Sequence, residues 1–249
     1  MLGTLALLAS LLGTSRPAFP DGQAVLSAMH ERYSGRWYRS LTFVQTTTLT
    51  NPNRTETWYE AARFPGLLRI DIAPIDSGHA LLFRRDSLYV FRQGKGAARR
   101  PFVHPLMVLG FDVYFDQPAT TAAKLQALHF DLSKVHEASW QGRPAIVVGA
   151  LAGDSTSPQF WVDRERLVFV RMVEPAPGGQ PGTAETQFNQ YQPLAQGWLS
   201  TEVTFAVNGV LQQKETYANA RADVVLPEEL FDPAHYGRPG WVVNPVLRE

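Results

Sequence analysis

Side chains able to do chemistry are few in this sequence and widely spaced. The six histidines are His30, His79, His104, His129, His136 and His235. No two stand at the i, i+2 or i, i+4 spacing that puts paired imidazoles on one face of a strand or helix, so no metal role is expected. There is no cysteine, and thiolate catalysis, disulfides and Cys-ligated zinc or iron–sulfur clusters have nothing to build on. The glycine patterns that cradle phosphates or dinucleotides are absent, as is the Gly-x-Ser-x-Gly turn of a nucleophilic serine. Carboxylates mostly adjoin basic residues, as in Asp163-Arg164-Glu165-Arg166 and His30-Glu31-Arg32, which is the alternation of a solvated face. The residue types point away from an enzyme and imply no cofactor. The competing reading is a catalytic site assembled only by the fold from carboxylate and histidine groups distant in sequence.

Charge concentrates in one place. Between positions 84 and 100, Arg84, Arg85, Arg92, Lys95, Arg99 and Arg100 stand against a single acid, Asp86. Arg84, Arg85, Arg99 and Arg100 are candidates for a rim that docks an acidic partner surface or lipid headgroups; the alternative is a solvated edge on two hairpins. Over the whole chain 23 basic and 23 acidic residues cancel, so no global field attracts nucleic acid or an anionic membrane. Nor are stacking aromatics interleaved with the arginines, and nucleic acid is not an expected partner.

The elements that must position these groups read as strands. The 249 residues are 45% hydrophobic, 18% charged and 11% aromatic, a composition that packs a core and favours β-structure. The first fifteen residues, Met1 to Ser15, are almost wholly apolar or small. The run is short for a membrane span and suits a signal peptide over 1–20, with Gly13-Thr14-Ser15 as a cleavage region, although no Lys or Arg precedes it. Asp21 is placed to cap a helix from Gly22 to Tyr33 with Val25, Leu26, Met29 and Tyr33 on one stripe.

From Leu41 the period becomes two. Strands are expected over 41–49, 55–63, 68–72, 79–83 and 88–91. Helices at 104–110 and 118–129 interrupt them, and strands resume over 135–140, 145–150, 159–162, 167–174, 185–191, 198–207 and 210–217. Asn208-Gly209 is the strongest hairpin signal. A short edge segment is expected near Ala222 to Leu226, then a helical turn over Pro227 to Phe231. The expected fold is mainly β, with about eleven antiparallel strands in one large sheet, in a single domain over 21–249.

Apolar residues then suggest what that sheet does. Leu199, Val203, Phe205 and Val207 share one face of their strand, whereas Ser200, Glu202 and Thr204 share the other. An apolar sheet face must be covered, and the helices are few and short. The uncovered remainder is expected to line a cavity, beneath a lid whose inner residues are Leu106, Met107, Leu109, Leu125 and Leu128. A fully packed core is the alternative.

The order of elements resembles the periplasmic lipoprotein carrier and outer-membrane lipoprotein-sorting superfamily, LolA/LolB-like proteins. Phe43-Val44-Gln45 is similar to its Phe-x-Gln, and Trp58 to Pro65 followed by Leu68-Arg69-Ile70 to its strand, Arg, Pro-turn, strand segment. Asp86 to Phe91 resembles its Asp-Gly hairpin; Phe160 to Asp163 before Leu167 to Arg171, and Leu226-Pro227 with Phe231, also fall in order. The resemblance spans roughly 21–233. It implies an unclosed half-barrel whose concave face, lidded by helices, holds a lipid, a lipoprotein acyl chain or another apolar ligand. On that reading Phe43, Tyr59, Ala61, Leu68, Ile70, Leu199, Val203 and Phe205 contact the ligand and Arg63 latches the lid. The mid-chain helices and the basic loop depart from the carrier, and without cysteine the acylated receptor type is not expected. An envelope-assembly or stress-sensing module that binds a protein through the basic rim is the alternative function.

Overall fold

In the computed structural model the described residues are 19–96 and 99–236. Residues 1–18 of the expected signal segment lie outside them.

The first helix, α1 (Gly22–Tyr33), begins where its cap predicts: the Asp21 carboxylate accepts a 2.8 Å hydrogen bond from the Ala24 amide, satisfying a donor that the helix itself leaves orphaned. Then come β1 (Ser40–Thr50), β2 (Asn53–Arg63), β3 (Leu67–Ile72), β4 (His79–Arg84), β5 (Ser87–Arg92), β6 (Lys95–Gly96) and β7 (Arg100–Pro101). The helical interruption is α2 (Pro105–Gly110), a 3₁₀ turn at Asp112–Tyr114, and α3 (Pro118–Ala127). The second strand series is β8 (Val135–Trp140), β9 (Arg143–Val148), β10 (Gln159–Asp163), β11 (Phe169–Pro175), β12 (Thr183–Leu194), β13 (Gly197–Val207) and β14 (Val210–Ala222).

Among the described residues these strands form one antiparallel sheet of fourteen, unclosed, in the order β6-β5-β4-β3-β2-β1-β14-β13-β12-β11-β10-β9-β8, with β7 paired to β5. The topology has a simple logic. β1 to β5 meander to one edge, the helices carry the chain to the far edge at β8, and β8 to β14 meander back until β14 pairs with β1. The helices are therefore the crossover between the edges.

Fourteen strands exceed the expected eleven or so. Twelve of the fourteen fall on the twelve ranges read from the sequence, and the other two are β6 and β7, two-residue pairings in the basic loop that are too short to leave a periodic signal. The expected edge segment at 222–226 is not a strand; β14 runs unbroken to Ala222 instead. The strand expected from Leu167 starts at Phe169, because Leu167 is left-handed at φ 55° in a turn organised by Asp163, whose carboxylate accepts from the Glu165 and Arg166 amides. Asn208 and Gly209 do form the two-residue hairpin turn, at φ 50° and 77°.

Side chains alternate across the pleat, and each face is covered differently. On one face α1, α2 and α3 pack against the sheet around Leu26, Met29, Leu109, Leu125, Phe130 and Phe160. On the other, Ala61, Ala80, Leu82 and Phe91 are covered by Leu230 and Phe231 from the C-terminal segment. That second face also buries an ion pair. Arg69 gives Asp71 two hydrogen bonds, Nε to Oδ2 at 2.8 Å and Nη2 to Oδ1 at 3.0 Å, and its guanidinium lies over the Tyr236 ring.

With both side chains under 5% exposed, removing one partner strands the other charge. Asp71→Ala is expected to destabilise the protein by about 3–5 kcal/mol in chemical denaturation. A change below about 1 kcal/mol would mean the pair contributes as an exposed one does.

Candidate functional site

The helix-covered face is not filled throughout. Beneath α1 and α3 it is solid: Trp37 stacks on Tyr114 at 3.9 Å and Phe130 meets Phe160 edge-on at 5.7 Å. Beneath α2 there is a cavity of about 250 Å³ bounded by β1 to β4 and β12 to β14. Strands from both series curl round this one space, which makes that part of the sheet concave.

The pleat decides which residues reach it. On β1 these are Leu41, Phe43 and Gln45; on β2, Trp58, Glu60 and Ala62; on β3, Leu68 and Ile70; on β14, Gln213, Glu215 and Tyr217. Leu199 and Phe205 of β13 and Leu106, Met107, Gly110 and Phe111 at the lid complete most of the apolar wall. Gly110 lets the lid sit close, since a Cβ there would stand 3.2 Å from the Phe188 ring.

Of the residues singled out in the sequence, Phe43, Leu68, Ile70, Leu199, Phe205, Leu106 and Met107 lie on the cavity wall. Val203 shares their face but is sealed in the core, as are Leu109 and Leu125, while Leu128 packs against that core from outside. Three placements differ from expectation. Ala61 faces the opposite side, in the small core under Phe231. Tyr59 shares that parity, because β2 sends its even-numbered residues inward.

Arg63 follows the same alternation. Its guanidinium lies over Phe231 at 5.4 Å, and Nη2 is 3.9 Å from Glu228. It is therefore no lid latch here. The lid is held on the inner side of the same segment instead. Phe64 stacks on Phe111 with rings 4.7 Å apart and parallel, and the Gly66 amide donates to Asp112 Oδ1 at 2.9 Å.

The basic rim is divided. Arg84 donates to the Phe231 carbonyl at 2.9 Å and Arg99 to Ser87 Oγ at 2.9 Å. The Arg100 guanidinium lies over the Phe102 ring, and Arg85 stands exposed in the β4–β5 turn. Two of the four are thus tied into the fold.

What the sequence did not single out is the polar strip in the cavity. Glu60 is 5% exposed, lies between Phe43 and Ile70 on the adjoining strands, and its carboxyl receives no hydrogen bond from the described residues. Glu215, 6% exposed, accepts from Tyr217 Oη at 2.8 Å and Gln213 Nε2 at 2.6 Å. Gln45 lies between them on β1, with its Nε2 donating to Thr47.

Burial, reinforced by Glu215, pushes the Glu60 carboxyl well above its ordinary range. Burial also raises Glu215 to about 7 in spite of its donors. At the lid, burial raises Asp112 to about 7 against the Gly66 amide, and holds His104 down at about 4, with Nδ1 buried and unpartnered. Among the described residues no group of three or more His, Asp or Glu could hold a metal ion, and no helix is long and apolar enough to cross a membrane.

No protein-family model and no curated protein matches the sequence. Solved structures do resemble the fold. A DUF1329 family protein from Desulfovibrio piger has a TM-score of 0.57 at 14% identity, covering 87% of this chain and 98% of that one. A LolA superfamily protein from Nitrosomonas europaea has 0.52 at 10%, covering 86% and 99%. A structure described as an outer membrane lipoprotein-sorting protein domain from Vibrio parahaemolyticus has 0.58 at 12%, covering 86% and 97%. The chain has a LolA-like fold.

The raised carboxyls make stability depend on pH. Glu215 and Asp112 each bind the proton more tightly folded than unfolded, so their advantage is complete below the ordinary carboxyl range and is lost as pH rises through about 7, and Glu60 acts in the same direction. Acids whose pKa values are lowered, such as Asp163 and Asp232, act below that window. Thermal unfolding is expected several degrees higher at about pH 5 than at about pH 8. Glu215→Gln should flatten the slope and stabilise the protein at about pH 8 by roughly 1–3 kcal/mol. An unchanged slope in that variant contradicts the assignment.

Proposed function

We propose that this protein is a periplasmic carrier or binding protein that holds a lipid, a lipoprotein acyl chain or another apolar ligand beneath α2. The observation that carries the reading is the cavity itself. It lies in the face that a folded sheet has to cover, it is walled mainly by Phe43, Leu68, Ile70, Phe83, Leu199 and Phe205, and a short helix roofs it. At about 250 Å³ it approaches the lower end of the range of about 300–1,000 Å³ usual for small-molecule sites. The export part of the reading rests on the apolar run at the start of the sequence.

Lid and wall divide the work. The strands are held by hydrogen bonds on both sides, so the wall is rigid. The lid hangs on the Phe64–Phe111 stack and the Gly66–Asp112 hydrogen bond. Entry of a ligand through displacement of α2 breaks those contacts and the close approach of Gly110 to Phe188, and draws Met107, Val108 and Leu109 out of the core.

The protein, purified from the bacterial periplasm, is expected to release lipid on organic extraction and to bind an apolar fluorescent probe. Leu199→Trp and Ile70→Trp, which fill the cavity, should each weaken the probe by at least about 10-fold, or about 1.4 kcal/mol. Absence of both extracted lipid and probe binding would overturn the reading.

A further inference from the structure

The reading of the cavity as a ligand site leaves its polar strip unexplained, and the inference that follows rests on that reading. An apolar ligand needs only the walls. Yet Glu60, 5% exposed, stands in the middle of them between Phe43 and Ile70, and no described residue donates to its carboxyl. A buried acceptor without a donor is costly, and the open side of this one is the cavity. Glu215 adds a second carboxyl on β14, close enough for its charge to bear on Glu60.

The rest of the lining sharpens the chemistry. Among the described residues no lysine or arginine lines the cavity. The ring of His104 is held neutral, and the Tyr191 and Tyr217 phenols are pushed up by burial and stay protonated. A headgroup with negative charge would find no counter-charge here and two carboxyls to repel it. A headgroup that donates hydrogen bonds and carries positive charge finds Glu60, Gln45, Tyr217 and Glu215 arranged across β2, β1 and β14. We propose that the cavity takes a cationic amphiphile, its ammonium group seated against Glu60 and Glu215 and its hydrocarbon body along Phe43, Ile70 and Phe205. A charge-assisted pair of this kind is stronger than a neutral hydrogen bond, and it satisfies the acceptor that the fold leaves open.

Proton balance follows. In the empty cavity burial favours the protonated carboxyls; seating an ammonium favours their ionised form, and any displaced proton goes to solvent. Affinity for an amine therefore rises with pH from about 5 to about 8, below the ordinary amine range. The raised carboxyls on or beside the wall are Glu60, Glu215 and, at the lid, Asp112, which Lys124, Asp116 and Asp86 face as charged neighbours. Glutamine variants of the two glutamates separate their share from that of the lid.

The test uses three single-chain amphiphiles of equal length, a primary amine, an alcohol and a carboxylate, as competitors of an apolar fluorescent probe. They are measured on the wild-type protein, Glu60→Gln, Glu215→Gln and the double variant, each checked for folding by its thermal melt. The amine is expected to bind at least about 10-fold more tightly than the alcohol at about pH 8, the carboxylate most weakly, and the amine preference to shrink toward unity at about pH 5 and in the double variant. If the probe binds but the amine shows no preference, or if the preference survives in the folded double variant, the proposal is overturned and the apolar site stands. If neither the probe nor any amphiphile binds, both fall.

Discussion

One connection shapes this molecule. Two antiparallel meanders, β1 to β5 and β8 to β14, join at the β1–β14 pair in the middle of the sheet. The chain leaving the first meander must therefore travel from one edge to the other before the second can begin. It has to cross a face, and the only face that gains from being crossed is the one lined with large apolar side chains. That crossing is α2 and α3. The position of the lid is thus a consequence of strand order, and the cavity is what a crossover of two short helices, with α1 beside it, leaves uncovered.

The two faces solve the same problem with different means. The outer face is closed by the C-terminal segment, through Phe231 on Ala61 and its neighbours and through the buried Arg69–Asp71 pair beneath Tyr236. The inner face is closed densely under α1, where Tyr33, Trp37 and Tyr114 interlock, and loosely under α2. Protein interiors are close-packed as a rule. The space left between the sheet and α2 is bordered by a short helix that is anchored through Met107, Val108 and Leu109 in the core and through the Phe64–Phe111 stack at its end.

Much of this was legible in the sequence wherever a local signal fixed the answer. The Asp21 cap set the start of α1, Asn208-Gly209 set a hairpin, and the helical ranges expected at 104–110 and 118–129 marked the crossover. Leu199 and Phe205 were placed by alternation alone. What failed was parity on β2. Anchoring the strand on Arg63 sent Tyr59 and Ala61 inward, whereas Trp58, Glu60, Ala62 and Phe64 are the ones on the cavity side; a shift of one residue inverts every side chain. The polar strip was hidden for a related reason. Gln213, Glu215 and Tyr217 alternate with Lys214 and Thr216, and a strand polar on both faces gives no period to read. Only the pairing of β14 with β1 reveals that one of those faces is buried.

The central claim is that the space under α2 is a binding site, not an imperfection of packing. The most direct measurement is an experimental electron-density map of the protein isolated from a bacterial host without delipidation. The account predicts elongated density against Phe43, Ile70 and Phe205 beneath α2, ending at Glu60 or Glu215. A cavity closed by inward movement of Leu106, Met107 and Phe205, with no density between lid and sheet, would contradict it.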